Sequence, residues 1–212
     1  MGLACFAKQA LSAFSLPKAG QAGMGVSSSF TPPALIIKDE TGTIYPQNRG
    51  IASLAAAVGP ISNTETVLIS GTLPANSLLA GSTFKVKALG VGTTSTSPGN
   101  TTFRIRIGPT TLTGNIPTSV VAAATASLTA QPWRFEGLVT IRTITASGTV
   151  IGECVLWANS ASGLFPAQTM SATVATVVVD STVANLIELT VITGASSANV
   201  TTHVATIEQV KA

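Results

Sequence analysis

The feature that most limits what this chain can become is the two-residue alternation of apolar and polar side chains that sets in after about residue 62. In Thr83-Phe84-Lys85-Val86-Lys87-Ala88, the residues Phe84, Val86 and Ala88 fall on one side and Lys85 and Lys87 on the other. Thr102-Phe103-Arg104-Ile105-Arg106-Ile107 repeats the device, with Phe103, Ile105 and Ile107 inward and Arg104 and Arg106 outward. Successive side chains of a strand point to opposite faces, so each segment has one buried and one wet face, as in an antiparallel sheet.

Further strands are predicted over 65–70, 119–125, 133–145, 149–157, 172–179, 186–193 and 200–210. Ala146-Ser147-Gly148 reads as a turn, and 93–100 and 158–166 as loops. Phe135, Val139, Ile141 and Leu189 are candidate core residues. Trp133 and Trp157 also lie in predicted strands, where core packing is the default expectation. About nine strands with no helix between them predict a mainly β fold, an antiparallel two-sheet sandwich. That strand count, and the missing Cys–Trp–Cys pattern of immunoglobulin domains, favour the jelly-roll type.

The sandwich domain is assigned to residues 62–212, and residues 1–61 to an N-terminal helix and extended arm for attachment and assembly. Leu3, Phe6, Ala7, Ala10, Leu11 and Phe14 follow helical spacing, and Pro17 bars continuation. A helix of about three turns is marginal in water and needs a partner surface. It either packs on its own β domain or docks on a neighbour, and Leu3, Phe6, Leu11 and Phe14 are the candidate assembly interface. Within 18–60, glycines and Pro32-Pro33 punctuate an extended course. Segments 34–38 and 43–45 form a candidate hairpin around Asp39-Glu40-Thr41-Gly42, and 51–58 a second small helix ended by Gly59-Pro60. Lys8 and Gln9 interrupt any secretory-signal core, and no apolar run reaches membrane-spanning length, so no membrane partner is expected.

Charged residues make up only 9% of the 212, with a net charge of +3, while 45% are hydrophobic. Disordered chains and coiled coils both need more charge. A β-rich, charge-poor surface aggregates unless its edges are covered, so this chain is expected to live inside an assembly. The basic residues are scattered and aromatics are 5%, which argues against specific nucleic-acid binding. Cys5 and Cys154 read as free thiols, Cys154 as a small hydrophobe. No zinc ligand set exists, because His203 is the one histidine; it is placed on a strand face with Thr201 and Ala205, in a structural or interface role. Glu136, Glu153, Glu188 and Glu208 fall on strands and are expected to pair with Arg104, Arg106, Arg134 or Arg142. With no nucleophile elbow, no phosphate loop and no calcium loop, the chain reads as non-enzymatic, without cofactor or metal.

Three segments carry a resemblance. They are Thr66-Val67-Leu68-Ile69-Ser70-Gly71-Thr72-Leu73-Pro74-Ala75-Asn76-Ser77-Leu78-Leu79-Ala80-Gly81-Ser82-Thr83-Phe84, then Thr101-Thr102-Phe103-Arg104-Ile105-Arg106-Ile107-Gly108, then Asn185-Leu186-Ile187-Glu188-Leu189-Thr190-Val191. Together they resemble jelly-roll structural proteins of tailed-bacteriophage virions: capsid decoration (cement) proteins and fibre or spike heads. The resemblance covers about residues 62–210 and is a pattern of strands and turns. It implies a homotrimer located in the virion, assembled in the host bacterial cytoplasm and contacting the major capsid protein or other virion proteins. The expected function is a capsid decoration protein that stabilises the head. The alternative is a tail-fibre or spike head that binds a host receptor or glycan.

Overall fold

The structure is a computed structural model that describes residues 23–27, 34–38, 44–46, 49–158, 164, 168–171, 173–194 and 198–211. Strands β1 (Gly23–Ser27), β2 (Ala34–Lys38) and β3 (Ile44–Pro46) form a three-stranded antiparallel sheet in that order. The pairing of Ile37 with Tyr45 and of Lys38 with Ile44 is the hairpin expected there. Its turn, Asp39 to Gly42, lies outside the described residues.

Two further antiparallel sheets make the sandwich. The first takes β4 (Arg49–Ser53), β5 (Val58–Ile61), β7 (Thr83–Thr94), β10 (Gln131–Thr143), β11 (Gly148–Ala158), β12 (Gln168–Met170), β14 (Val177–Val179) and β16 (Ala198–Lys211). Its order is β12-β11-β10-β7-β16-β4, with β14 paired to β11 and β5 to β16. The second takes β6 (Thr66–Leu73), β8 (Asn100–Gly108), β9 (Asn115–Ala123), β13 (Thr173–Val174) and β15 (Asn185–Thr193), in the order β13-β9-β8-β15-β6. The pairings nest: β10 with β11, β9 with β13, β8 with β15 and β7 with β16. No helix occurs among the described residues.

The alternation seen in the sequence sets the core. Phe84, Val86 and Ala88 of β7 are buried, as are Phe103, Ile105 and Ile107 of β8, Phe135, Val139 and Ile141 of β10, and Leu189 of β15. The two sheets meet through aromatic contacts: Phe103 lies 4.9 Å from Trp133 and 5.7 Å from Phe135 between ring centroids. Each fully buried side chain of this size contributes about 1.5–3 kcal/mol relative to exposure.

One expectation is overturned. Residues 51–58 do not form a helix. Ser53, Ala52 and Gly50 pair with Thr206, Ile207 and Glu208, and the Leu54 N–H donates to the Ala205 carbonyl at 2.9 Å. Val58 and Ile61 pair with Thr202 and Val200. The cause is competition: two isolated helical turns are unstable alone, whereas the edge of β16 offers a row of backbone donors and acceptors. The sandwich sheet therefore includes strands that precede residue 62.

Candidate functional site

The outward face of the first sheet carries most of the chemistry in the described chain, and the register places it row by row. Trp157 of β11 lies beside Arg134 of β10, then Leu89 of β7 and Val204 of β16. The next row is Met170 of β12, Val155, Glu136, Lys87 and Thr206. The third is Glu153, Leu138, Lys85 and Glu208. Leu89 and Val204, 46% and 49% exposed, are neighbours across β7 and β16, while Met170, 61% exposed, stands on β12 at the other side of the Arg134 and Glu136 charges.

Glu136 organises the centre. It forms ion pairs with Lys85 and with Arg134, whose Nη2 donates to Oε2 at 2.9 Å. Partial burial pushes the Glu136 carboxyl up, but bonds and charge from Lys85 and then Arg134 outweigh it and hold the group below the ordinary carboxylate range. Arg134 also lies over the Trp157 indole, with Cζ 5.3 Å from the ring centroid. A groove beside this cluster is lined by Trp157, Met170, Val155, Leu138, Glu136 and Glu153.

The outward face of the second sheet is built differently. Glu65 receives Arg104, Arg106 and the Thr190 hydroxyl, at 2.9, 2.9 and 2.6 Å for the shortest bond from each. Burial raises its pKa, while bonds from Arg106 and Thr190 and the charges of Arg104 and Arg106 bring it to about 2. Glu188, only 1% exposed, accepts from the Leu112 N–H at 3.0 Å and pins the 109–114 loop to β15. Every carboxylate here is consumed by a structural partner, so this face is a clamp.

The sequence-predicted residues fall as follows. Leu3, Phe6, Leu11 and Phe14, with Cys5, lie outside the described residues. Of the expected ion pairs, Glu136 with Arg134 forms, whereas Arg104 and Arg106 take Glu65. Cys154 is buried, and its Sγ accepts from Thr118 Oγ1 at 3.3 Å; burial first, then the Glu153 charge, push the thiol up. That is the behaviour of an inert packed thiol. His203 is exposed, but it does not share a face with buried Ala205, because a bulge between Thr202 and Val204 shifts the register there. Trp133 is a core residue as expected. Trp157 is not: it stands on the outer face, half-buried, a site residue missed with Met170. No group of three or more His, Cys, Asp or Glu that could hold a metal ion occurs among the described residues. Among the described residues there is no helix long and apolar enough to cross a membrane.

No protein-family model matches this chain. No curated protein matches it either. Among solved structures, it is similar to the CBM2 module of an evolved Dit of Lactobacillus casei BL23 phage J-1. Identity is 14% over 68% of this chain and 69% of that one, with a TM-score of 0.31, an overlap too loose to bring any property of that module across.

Proposed function

We propose that this chain is a non-enzymatic structural protein of a bacteriophage virion whose sandwich binds a saccharide on the outer face of β10 and β11. The observation that carries the binding half is the outward placement of Trp157 above a groove that also presents Glu136 and Glu153. An indole beside carboxylates suits a sugar, whose ring stacks on the aromatic while its hydroxyls donate to the oxygens. The same placement weakens an enzymatic reading. A glycosidase needs an acid with a raised pKa, and Glu136 is held low by Lys85 and Arg134.

The virion half is supported by the three resembling segments, which supply β6, β8 and β15 of the sandwich, and by the charge-poor composition. The nested pairing supports the jelly-roll type, from which the sandwich departs by keeping the β8–β9 hairpin within one sheet. The decoration reading, with a homotrimer clamped on the major capsid protein, rests on the apolar stripe Leu3, Phe6, Leu11 and Phe14. Deleting residues 1–17 tests it: a folded chain that no longer joins particles supports assembly through this stripe, and unchanged incorporation overturns it.

The saccharide reading is tested on an array of bacterial-surface glycans with the full chain and with Trp157→Ala. Binding that falls about thirtyfold or more in the variant is expected, as for a buried tryptophan anchor. Absence of any glycan binding, or binding unaffected by Trp157→Ala, overturns it.

A further inference from the structure

The groove does not stop at Glu153. Leu138 and Glu153 line both the stretch that ends at Trp157 and Met170 and a second stretch that ends at Ile151 and Arg142. Trp157 and Ile151 stand six positions apart on β11. At the rise of an antiparallel strand the two adjoining depressions, which share the facing pair Leu138 and Glu153, together make a trough of about 20 Å. Its two ends differ in charge. At the Trp157 end the cations are used, since Lys85 and Arg134 both face Glu136. At the other end Arg142 is exposed and has no ion-pair or hydrogen-bond partner among the described residues.

We propose that the trough holds a linear oligosaccharide several units long, which carries a carboxylate or phosphate at the Arg142 end. This inference rests on the saccharide reading above. The trough's length excludes a single sugar as its full occupant. Its position on the face of the sheet disfavours an extended peptide. Added strands draw their affinity from a free backbone edge, and β10 is paired on both sides while β11 is paired to β10, β12 and β14. The guanidinium fork of Arg142 matches the paired oxygens of a carboxylate or phosphate, and Glu153, the carboxylate that lines the same stretch, forms no ion pair with it.

The test uses the purified full chain. An array carrying neutral, uronic-acid-bearing and phosphate-bearing linear glycans is followed by titration of the tightest acidic ligand and its neutral counterpart, the carboxyl-reduced or dephosphorylated form. Wild type, Trp157→Ala and Arg142→Gln are compared. The acidic ligand is expected to bind about tenfold more tightly than the neutral one, the size of one charge-assisted contact. Arg142→Gln abolishes that advantage, so that the variant no longer separates the acidic ligand from the neutral one, high salt erodes it, and Trp157→Ala weakens both ligands. The glycan class that shows the advantage separates carboxylate from phosphate. Trp157-dependent binding with no acidic preference, or a preference that survives Arg142→Gln, overturns this inference and leaves the saccharide reading standing. A chain that binds no glycan overturns both.

Discussion

Glu65 accepts both prongs of the Arg106 guanidinium, from Nε to Oε1 at 2.9 Å and from Nη2 to Oε2 at 3.0 Å. Glu65 precedes β6 at the edge of its sheet, and Arg106 lies two strands inward on β8, with β15 between them. The fork therefore ties three strands together across Thr190 of β15, which donates to the same carboxylate. Arg106 also donates through Nη1 to the Gly114 carbonyl at 3.0 Å, so the loop after β8 belongs to the clamp.

This clamp predicts an acid-sensitive fold. The Glu65 pKa is lowered from 4.5 to about 2, so the unfolded chain takes up this proton at a higher pH than the folded one. The stabilisation is complete above about pH 5 and drains away as pH falls through about 2. The shift corresponds to at most about 3.5 kcal/mol. Urea melts of wild type and Glu65→Gln between pH 7 and pH 2 check this. The variant should be less stable at neutral pH and should lose less stability on acidification. Identical pH dependence in the two proteins would remove Glu65 from this role.

At the centre of the sandwich, Phe103 is fully buried against Trp133 and Phe135. Phe103→Ala should cost about 3–5 kcal/mol, as truncation of a buried aromatic does. Chemical denaturation measures it, and a cost under about 1 kcal/mol would mean that the β8 register is wrong.

The inward set Phe103, Ile105 and Ile107 was legible in the sequence because charged Arg104 and Arg106 mark the other face of the same strand. The same logic applied to β11 points Trp157 outward, since it shares parity with Glu153 and not with buried Cys154 and Leu156. The default of burying tryptophan hid that signal, and apolar Val155 on the wet face blurred it. Residues 51–58 misled for another reason. Ile51, Leu54 and Val58 satisfy helical spacing, and nothing local announces that β16 has an open edge. The Glu65 clamp could not be read at all, because it depends on which strands are neighbours. The His203 face failed because a bulge changes parity without changing the sequence pattern.

The bulge also yields a paired prediction on glycine. Gly90 of β7 sits between Trp133 of β10 and Thr202 of β16 in the ladder. A Cβ added there would lie 1.9 Å from the Thr201 carbonyl oxygen and 2.9 Å from the Thr202 Cα. Both atoms are backbone, held by the central pairing of β16, so no side-chain rotation relieves the clash. Glycine inside a strand here marks a close backbone approach. Gly50 of β4 is the contrast, because nothing lies within 4 Å of its added Cβ. Gly90→Ala is expected to destabilise by at least about 2 kcal/mol, as overpacking against a rigid neighbour does. Gly50→Ala should stay within about 0.5 kcal/mol of wild type, as surface substitutions do. Parallel urea melts of the two variants decide the matter. Equal stability would show that β16 can move away from β7, and the close approach over Gly90 would then be no constraint on the sheet that carries the binding face.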